Sequence, residues 1–201
     1  MRLALAVLLS YVVGGIPFAV LAGKLKGVDL TKQGSGNPGA TNAIRVLGPA
    51  IGVPVLLLDA LKGWLCVVAL APLGGVAGDG ARLACGAAAV LGHVWPAALR
   101  FRGGKGVATA GGVFVGLAPA AVGIAVGVFV VTLLAFRFVS VASMAAAIAL
   151  PIALAARGAP RTILLVGLAV CLLIFVRHRA NLARLAAGTE SRVRLHKREA
   201  S

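Results

Sequence analysis

Six long apolar stretches occupy most of this chain of 201 residues and constrain its fold more than any other feature. A helix needs about 20 residues to cross the apolar core of a bilayer. The stretches are 3–23, 49–71, 80–99, 107–135, 138–156 and 161–177. Because 60% of the residues are hydrophobic and only 12% are charged, a water-soluble fold would lack polar surface. The sequence therefore predicts an all-α, polytopic membrane protein with a single domain over residues 1–201.

The fourth stretch is too long for one crossing. Its 29 residues would form a helix of roughly 43 Å, whereas the apolar core of a bilayer is about 30 Å thick. Pro119 lies near the middle, where a proline removes a backbone hydrogen bond and bends or ends a helix. We therefore expect two short helices, of roughly a dozen and roughly seventeen residues, on either side of Pro119. This division gives seven transmembrane helices.

The distribution of basic residues supports seven crossings. With the N-terminus outside, fifteen of the 20 Lys and Arg residues fall in cytoplasmic segments and four fall outside. Six crossings would divide them almost equally, and cytoplasmic loops normally carry the excess. We therefore expect an outside N-terminus and a short, basic cytoplasmic tail from about residue 178.

The net charge of +15 limits the classes of function that the chain can have. It is explained by the bias of cytoplasmic loops, by attraction to anionic lipid head groups or by an anionic substrate. Nucleic-acid binding explains it poorly, because the basic residues are scattered between apolar stretches. The five acidic residues form no evident metal cage, and the 3 cysteines lie in apolar stretches without metal-ligand spacing. We therefore expect neither a metal nor a cofactor.

The first polar motif is GSGNPGATN at residues 34–42. Its glycines let backbone N–H groups approach an anion, and Asn37 followed by Pro38 is typical of an N-cap and a first helical residue. A helix beginning there would direct its positive end at a phosphate, with Thr41 and Arg45 on one face. The alternative is an ordinary turn, but a turn does not require hydroxyl, amide and guanidinium groups together.

The second polar motif is FRGGKGVAT at residues 101–109. It is not a P-loop, because Leu99 stands where the first glycine of that motif belongs. Its glycines still let backbone donors approach a ligand, and Lys105 adds a positive charge that can reach a phosphate. The alternative is a basic anchor at the membrane surface.

The third polar motif, RHRANLARL, begins at Arg177. At helical spacing His178 and Asn181 share a face, as do Arg177, Asn181 and Arg184. Gly188 suits the end of this helix. The alternative is a basic amphipathic helix lying on the cytoplasmic leaflet. Seven crossings place all three motifs on the cytoplasmic side, which favours a single shared site.

Other polar residues lie within the apolar stretches. Asp59 and Lys62 are three residues apart, which indicates either a structural ion pair or a functional site. Ser140 and Ser143 either bond to their own helix or serve an anion. His93 is expected to be a hydrogen-bonded residue near the membrane interface.

The three motifs resemble, in order and spacing, the PlsY family of acyl-phosphate-dependent glycerol-3-phosphate acyltransferases. The matching segments are SGNPGATN at 35–42, GGKGVAT at 103–109 and HRAN at 178–181, and DALKG at 59–63 and SVAS at 140–143 are also similar. The resemblance implies a multi-pass enzyme of the bacterial inner membrane that acts in phospholipid biosynthesis. It would transfer a fatty acyl group from acyl phosphate to the 1-hydroxyl of sn-glycerol 3-phosphate. The products would be lysophosphatidic acid and phosphate.

The resemblance also implies a cytoplasmic site, with the acyl tail entering from membrane lipid. We expect Arg45 and Lys105 to bind phosphate, and the backbones of 36–39 and 103–106 to cradle phosphate or an oxyanion. No carboxylate is expected among the motifs. The sequence leaves the proton acceptor open, with the substrate phosphate as one candidate. The catalytic candidates are Ser35, Lys105, His178 and Asn181. The substrate-binding candidates are Gly36, Asn37, Gly39, Thr41, Asn42, Arg45, Gly103, Gly104, Gly106 and Ser143.

A membrane anion or phosphate transporter is the alternative class, since it would also place helix ends and cations at a polar site. Such a protein should show charges near the midplane in paired, internally repeated segments. Here the Asp59 and Lys62 pair has no counterpart, and the polar motifs cluster at one surface. The sequence therefore favours the acyltransferase.

Overall fold

A computed structural model describes residues 2–74 and 78–193 of the chain, and within these ranges all regular secondary structure is helical. Met1, residues 75–77 and residues 194–201 lie outside the described residues, so the predicted basic tail is described only as far as Val193. The α-helices are α1 Arg2–Gly14, α2 Phe18–Leu25, α3 Ala40–Leu47, α4 Pro49–Leu65, α5 Ala71–Leu73, α6 Asp79–Val94, α7 Val107–Leu117, α8 Pro119–Phe136, α9 Val139–Ala156, α10 Arg161–Arg177 and α11 Arg179–Ala186. A π-helical turn, Cys66–Leu70, joins α4 to α5, and a 3₁₀ turn, Ala97–Leu99, follows α6.

Five described segments are long and apolar enough to cross a membrane: Arg2–Leu25, Pro49–Leu73, Asp79–Leu99, Pro119–Phe136 and Val139–Ala156. A sixth is obtained if α10 and α11, which are bent by 52°, count as one span. The chain is therefore a multi-pass membrane protein. Helix length alone does not give a seventh crossing, because the 11 residues of α7 reach only about 16 Å.

The predicted break at Pro119 is confirmed. Helix α7 ends at Leu117 after 11 residues, and α8 begins at Pro119 and has 18 residues. Between them Ala118 leaves the helical conformation, with φ −153° and ψ 68°. Pro119 occupies the first position of α8, where its missing N–H leaves no intrahelical bond unmade.

Helices α4 and α7 pack at very short distance because a glycine of each helix lies against the backbone of the other. A Cβ atom on Gly112 of α7 would overlap the carbonyl oxygen of Ala60, and one on Gly63 of α4 would overlap that of Thr109. Small residues allow this approach in membrane helices, where packing replaces the hydrophobic effect as the source of helix association. The contact fixes the beginning of α7, and therefore the glycine-rich segment that precedes it.

The first motif does not form the helix start that its sequence indicates. Helix α3 begins at Ala40, its N-cap is Gly39, and no side chain caps it. The predicted N-cap at Asn37 and first helical residue at Pro38 are therefore wrong. The physical reason is a tight turn, because the Gly39 N–H bonds to the Asn37 carbonyl at 2.9 Å and the chain is extended at Gly39.

Candidate functional site

The three polar motifs meet in one cleft of about 730 Å³. The residues that line it are Thr31, Ser35, Gly36, Asn37, Pro38, Ala98, Leu99, Arg100, Phe101, Arg102, Gly103, Lys105, Arg177, Arg179, Ala180, Asn181 and Arg184. Six of the described lining residues are basic and none is acidic. Such a cleft favours an anion.

Lys105 lies at the centre of the cationic cluster. It is half-buried just before α7, and its ammonium group donates a hydrogen bond to the Asn181 side-chain oxygen. Burial lowers the pKa of Lys105 to about 8; Glu190 opposes the shift, while Arg184, Arg45 and Arg177 add to it. The site therefore holds a cation that an incoming anion would stabilise.

A chain of hydrogen bonds continues from Lys105 through Asn181 to Glu190. The Asn181 amide donates to Glu190 Oε1 at 2.6 Å, and Ser140 Oγ donates to the same oxygen at 2.8 Å. Arg184 Nε donates to Glu190 Oε2 at 2.7 Å. Burial disfavours the charged form of Glu190, but these hydrogen bonds outweigh it and hold the pKa of the carboxyl below its usual range. The carboxylate thus orients the Asn181 amide so that its oxygen faces Lys105.

Glu190 corrects the expectation that no carboxylate lies among the motifs. The signal that could have found it is Gly188, which has φ +69° directly after the C-cap of α11. The Thr189 N–H bonds back to the Arg184 carbonyl at 2.8 Å, and the Gly188 N–H bonds to the Leu185 carbonyl at 3.1 Å. This arrangement ends the helix and reverses the chain. Glu190, two residues beyond, is thereby returned to the helix face that carries Asn181 and Arg184.

His178 lies behind the cleft instead of lining it. Its side chain is 2% exposed, and its Nδ1 is 2.8 Å from the Ile174 carbonyl oxygen. Burial lowers the pKa of His178 to about 4, with a further contribution from Lys105. A neutral ring that donates from Nδ1 keeps Nε2 as an acceptor. His178 is therefore suited to orienting a neighbouring donor and poorly suited to removing a proton at neutral pH.

The second motif uses its backbone differently from the expected cradle. The N–H groups of Gly103 and Gly104 bond to the carbonyls of Val94 and His93, each at 3.1 Å. On the other side, Arg177 Nη2 donates to the carbonyls of Gly103 and Gly104 at 3.0 and 3.1 Å. The structure therefore corrects the cradle for these two glycines, because their N–H groups are already bonded within the protein.

The loop of the first motif is also stabilised by hydrogen bonds within the protein. The N–H of Gly36 bonds to the Gln33 carbonyl at 3.0 Å in a turn that needs its φ of +68°. Asn42 is buried, accepts from the Ser35 N–H at 2.9 Å, and donates to the carbonyls of Leu30 and Gln33 at 3.0 Å. With the Gly39 N–H bonded to Asn37, neither glycine offers its N–H to an anion. The motif therefore presents side chains, including the exposed Ser35, to the cleft.

The remaining predicted residues, Thr41, Arg45, Gly106 and Ser143, do not line the cleft. Thr41 and Arg45 are exposed on one face of α3, as expected, and Arg45 is close enough to Lys105 to affect its pKa. Gly106 is the N-cap of α7, with φ +83°. Ser143 is buried one turn along α9 from Ser140 and does not line the cleft.

Five basic residues that line the cleft are not among the predicted site residues: Arg100, Arg102, Arg177, Arg179 and Arg184. A basic residue beside an apolar stretch is ordinarily a membrane anchor, and an anchor or an amphipathic helix is the alternative for the second and third motifs. Only the fold brings them together. Within the described ranges no three His, Cys, Asp or Glu side chains converge, so we assign no residue to a metal.

Fold and site together define a polytopic, α-helical membrane protein with a cationic cleft that is suited to an anion. The family model described as glycerol-3-phosphate acyltransferase matches residues 4–188. Glycerol-3-phosphate acyltransferase of Desulfotalea psychrophila is 45% identical over 185 residues, which cover 91% of this chain and 94% of the relative. That of Geobacter sulfurreducens is 44% identical over 185 residues and covers 91% and 93%.

Two solved structures are similar to the whole fold. The crystal structure of PlsY (YgiH), an integral membrane glycerol 3-phosphate acyltransferase, in its glycerol 3-phosphate form has a TM-score of 0.90 and 39% identity, covering 96% of each chain. The lysophosphatidic acid form has a TM-score of 0.88 and 38% identity, again covering 96% of each chain. The chain belongs to the glycerol-3-phosphate acyltransferase family, of the PlsY type, and is an acyltransferase.

Proposed function

We propose that this enzyme transfers a fatty acyl group from acyl phosphate to the 1-hydroxyl of sn-glycerol 3-phosphate. The observation that carries the proposal is the cleft, in which Lys105, Asn181 and the first motif converge among arginines. Both substrates carry phosphate, and the lysophosphatidic acid form of a similar PlsY structure fits the product. The acylation is a step of phospholipid biosynthesis. Family membership disfavours the transporter alternative.

The reaction balances without a metal or a cofactor. The glycerol hydroxyl oxygen attacks the acyl carbonyl carbon and forms the ester bond, while the bond from that carbon to the phosphate oxygen breaks. The hydroxyl proton passes to the departing phosphate, which leaves as hydrogen phosphate. Phosphate is a good leaving group, so the protein's contribution is to position the two reactants and stabilise charge.

Side chains carry the proposed anion binding, since four of the motif glycines have their N–H groups bonded within the protein. Lys105, with Arg45 nearby, neutralises a phosphate, and Ser35 and Asn37 donate hydrogen bonds from the facing loop. Asn181 and Glu190 hold the Lys105 ammonium in place. Arginine and lysine are both suited to phosphate, the first as a fork and the second as a point charge.

The proton acceptor is the substrate phosphate in this proposal. His178 has a pKa of about 4, because it is buried next to Lys105, and is therefore a weak base at neutral pH. Glu190 is committed to three hydrogen bonds from Ser140, Asn181 and Arg184. An oxygen of the acyl phosphate is part of the reacting group itself and needs no further base.

We also propose seven crossings, with an outside N-terminus and the cleft on the cytoplasmic side of the bacterial inner membrane. Support comes from the break at Pro119, which turns the fourth apolar stretch into α7 and α8. The acyl tail would reach the cleft from lipid near Phe101, an apolar side chain that is 60% exposed at the rim. A reporter fused after Ser201 should be found in the cytoplasm, and an outside reporter would overturn this topology.

One assay tests the reaction. Purified enzyme is given acyl phosphate and labelled glycerol 3-phosphate in the absence of added metal, and labelled lysophosphatidic acid and released phosphate are measured. We expect one phosphate for each acylated product, and a loss of at least about 100-fold for Lys105→Ala, in the range of removing a charged donor. Wild-type enzyme without turnover would refute the reaction, and Lys105→Ala with full turnover would refute the site.

Lys26→Ala is a matched control for Lys105→Ala. Lys26 is an exposed lysine at the end of α2 and does not line the cleft. Its loss removes the same charge from the same protein without touching the proposed site. We expect the turnover of this variant to remain within about twofold of wild type, because Lys26 is exposed, does not line the cleft and is screened by solvent and salt.

A further inference from the structure

A buried cluster of ionisable side chains lies directly behind the glycine-rich segment of the second motif. Asp59 Oδ1 is 2.7 Å from Lys62 Nζ and 3.6 Å from His93 Nδ1. The side chains of Asp59 and Lys62 are each 3% exposed, and that of His93 is 8% exposed. Buried ions in a membrane span are costly, and removing one partner leaves the other uncompensated. Nothing in the acyl-transfer steps uses this cluster.

The cluster joins three helical segments of the fold. Asp59 and Lys62 lie on α4, and His93 lies in the last turn of α6. Lys62 Nζ also donates to the Ile16 carbonyl at 2.8 Å, at the break between α1 and α2 where Pro17 interrupts the helix. One side of the His93 ring therefore lies against an ion pair of α4, and Lys62 links that pair to the break between α1 and α2.

The other side of the His93 ring supports Gly104. A Cβ atom built on Gly104 would overlap His93 Nε2 and lie 3.0 and 3.1 Å from ring carbons Cε1 and Cδ2. These three ring atoms are the nearest neighbours of that Cβ position, so Gly104 packs directly against the His93 ring. The Gly104 N–H also bonds to the His93 carbonyl at 3.1 Å. Next in the chain comes Lys105, whose ammonium bonds to Asn181.

We propose that His93, packed between Asp59 and Gly104, is a positioning residue. Its ring fixes the position of the Gly103–Lys105 backbone, and this backbone places the Lys105 ammonium in the cleft. The role of that ammonium rests on the proposed function; the support of Gly104 by the ring does not. His93 touches no substrate in this proposal. It acts through the backbone of the segment.

The adjacent Gly103 provides a matched control because it packs against different atoms. A Cβ atom on Gly103 would overlap the His93 carbonyl oxygen and Pro96 Cδ, and would lie 2.8 Å from the Val94 carbonyl oxygen. None of these atoms belongs to the His93 ring. Replacing the His93 ring with a shorter side chain therefore makes room for a methyl group at Gly104 and makes none at Gly103.

The test combines these substitutions in purified enzyme. His93→Asn removes the Nε2 edge while keeping an N–H donor near Asp59, and it is combined with Gly104→Ala and, separately, with Gly103→Ala. We expect Gly104→Ala to raise KM for glycerol 3-phosphate roughly tenfold or more, with a smaller change in kcat. Adding His93→Asn should lower that KM by about threefold or more, because contacting residues do not act additively. It should leave the defect of Gly103→Ala unrelieved.

The melting temperature of each variant gives a second readout that needs no substrate. Gly104→Ala should melt below wild type, and its double variant with His93→Asn should recover part of the loss. His93→Ala serves in place of His93→Asn if the latter does not fold. Additive effects at Gly104 in both readouts would overturn the proposal, as would equal relief at Gly103 and Gly104. Relief of the melting temperature without relief of KM would also overturn it, since the ring would then only stabilise the fold.

Failure of the proposed function is recognised separately. In that case wild-type enzyme does not acylate glycerol 3-phosphate, or Lys105→Ala retains its turnover, and the recovery of melting temperature alone decides whether the ring supports Gly104. If wild type turns over and Lys105→Ala does not, the KM values of the two double variants decide the positioning role.

Discussion

The pH dependence of acyl transfer tests the charge of Lys105 directly. Burial lowers its pKa from 10.5 to about 8, despite the opposing influence of Glu190. At pH 7 about nine tenths of the free enzyme then carries the ammonium, and at pH 9 about one tenth does. Glycerol 3-phosphate is already a dianion over this range, because its second pKa is about 6. We therefore expect kcat/KM for glycerol 3-phosphate to fall about tenfold from pH 7 to pH 9.

Two variants assign this fall to Lys105. Lys105→Arg keeps its charge at every pH used, so its profile should be flat above pH 7 even if its activity is lower. Glu190→Gln removes the charge that raises the Lys105 pKa, so its fall should begin at lower pH. The assay is the initial rate of lysophosphatidic acid formation at saturating acyl phosphate, corrected for hydrolysis without enzyme. Profiles of wild type and Lys105→Arg that fall together would refute the reasoning.

Deprotonation of Lys105 does not destabilise the folded protein, so unfolding caused by this group does not explain a fall in kcat/KM at high pH. Between pH 8 and pH 10.5 the unfolded chain binds the Lys105 proton and the folded protein does not. Stability falls with rising pH only where the folded state binds more protons, so this group makes the folded state more stable as the pH rises over that range. A loss of activity as the pH rises above 8, without a fall in melting temperature from this group, is therefore the expected combination.

Two further predictions concern the scaffold. Asn42→Ala leaves the Ser35 N–H and the carbonyls of Leu30 and Gln33 without their partner, so we expect a loss of about 2–4 kcal/mol in unfolding free energy, measured by denaturation in detergent. Ser10→Ala, which removes one buried intrahelical bond, should cost clearly less, and an equal cost would contradict this. Gly112→Val should lower the melting temperature sharply, because its side chain would overlap Ala60; Gly111→Val, in open space, should not, and equal effects would refute the α4–α7 contact.

The fold was predictable where it depends on local hydropathy. A span of about 20 apolar residues is a property of the segment itself, and so is the inability of Pro119 to continue a helix. The boundaries of α7 and α8 therefore follow from the sequence within a residue or two. The helix start at Asn37 was wrong because Gly39 closes a tight turn, and the choice between a cap and a turn depends on bonds that local propensity does not contain.

The site was predictable in its composition and less so in its contacts. Spacing places Asn181 and Arg184 on one face of a helix, and both line the cleft. Spacing does not reveal that the N–H groups of Gly103 and Gly104 are bonded to Val94 and His93 at the end of α6, which lie nine and eleven residues earlier in the chain. Nor does it reveal that Glu190 meets Ser140, fifty residues away. Glycine-rich loops suggest backbone cradles, but only the fold shows whether the N–H groups remain available.

The charge of the cleft bears on how the reaction proceeds in a membrane. In the proposed reaction, acyl phosphate and glycerol 3-phosphate each bring about two negative charges, and lysophosphatidic acid and hydrogen phosphate carry away the same total. The arginines and Lys105 therefore hold substrates and products about equally, and charge alone gives no preference for release. The two products differ in the acyl tail. The reaction moves this tail from phosphate, which is soluble in water, to glycerol 3-phosphate. Each buried CH₂ group of that tail favours the lipid phase by about 0.8 kcal/mol, so lysophosphatidic acid is drawn from the cationic cleft into the bilayer while phosphate leaves to water.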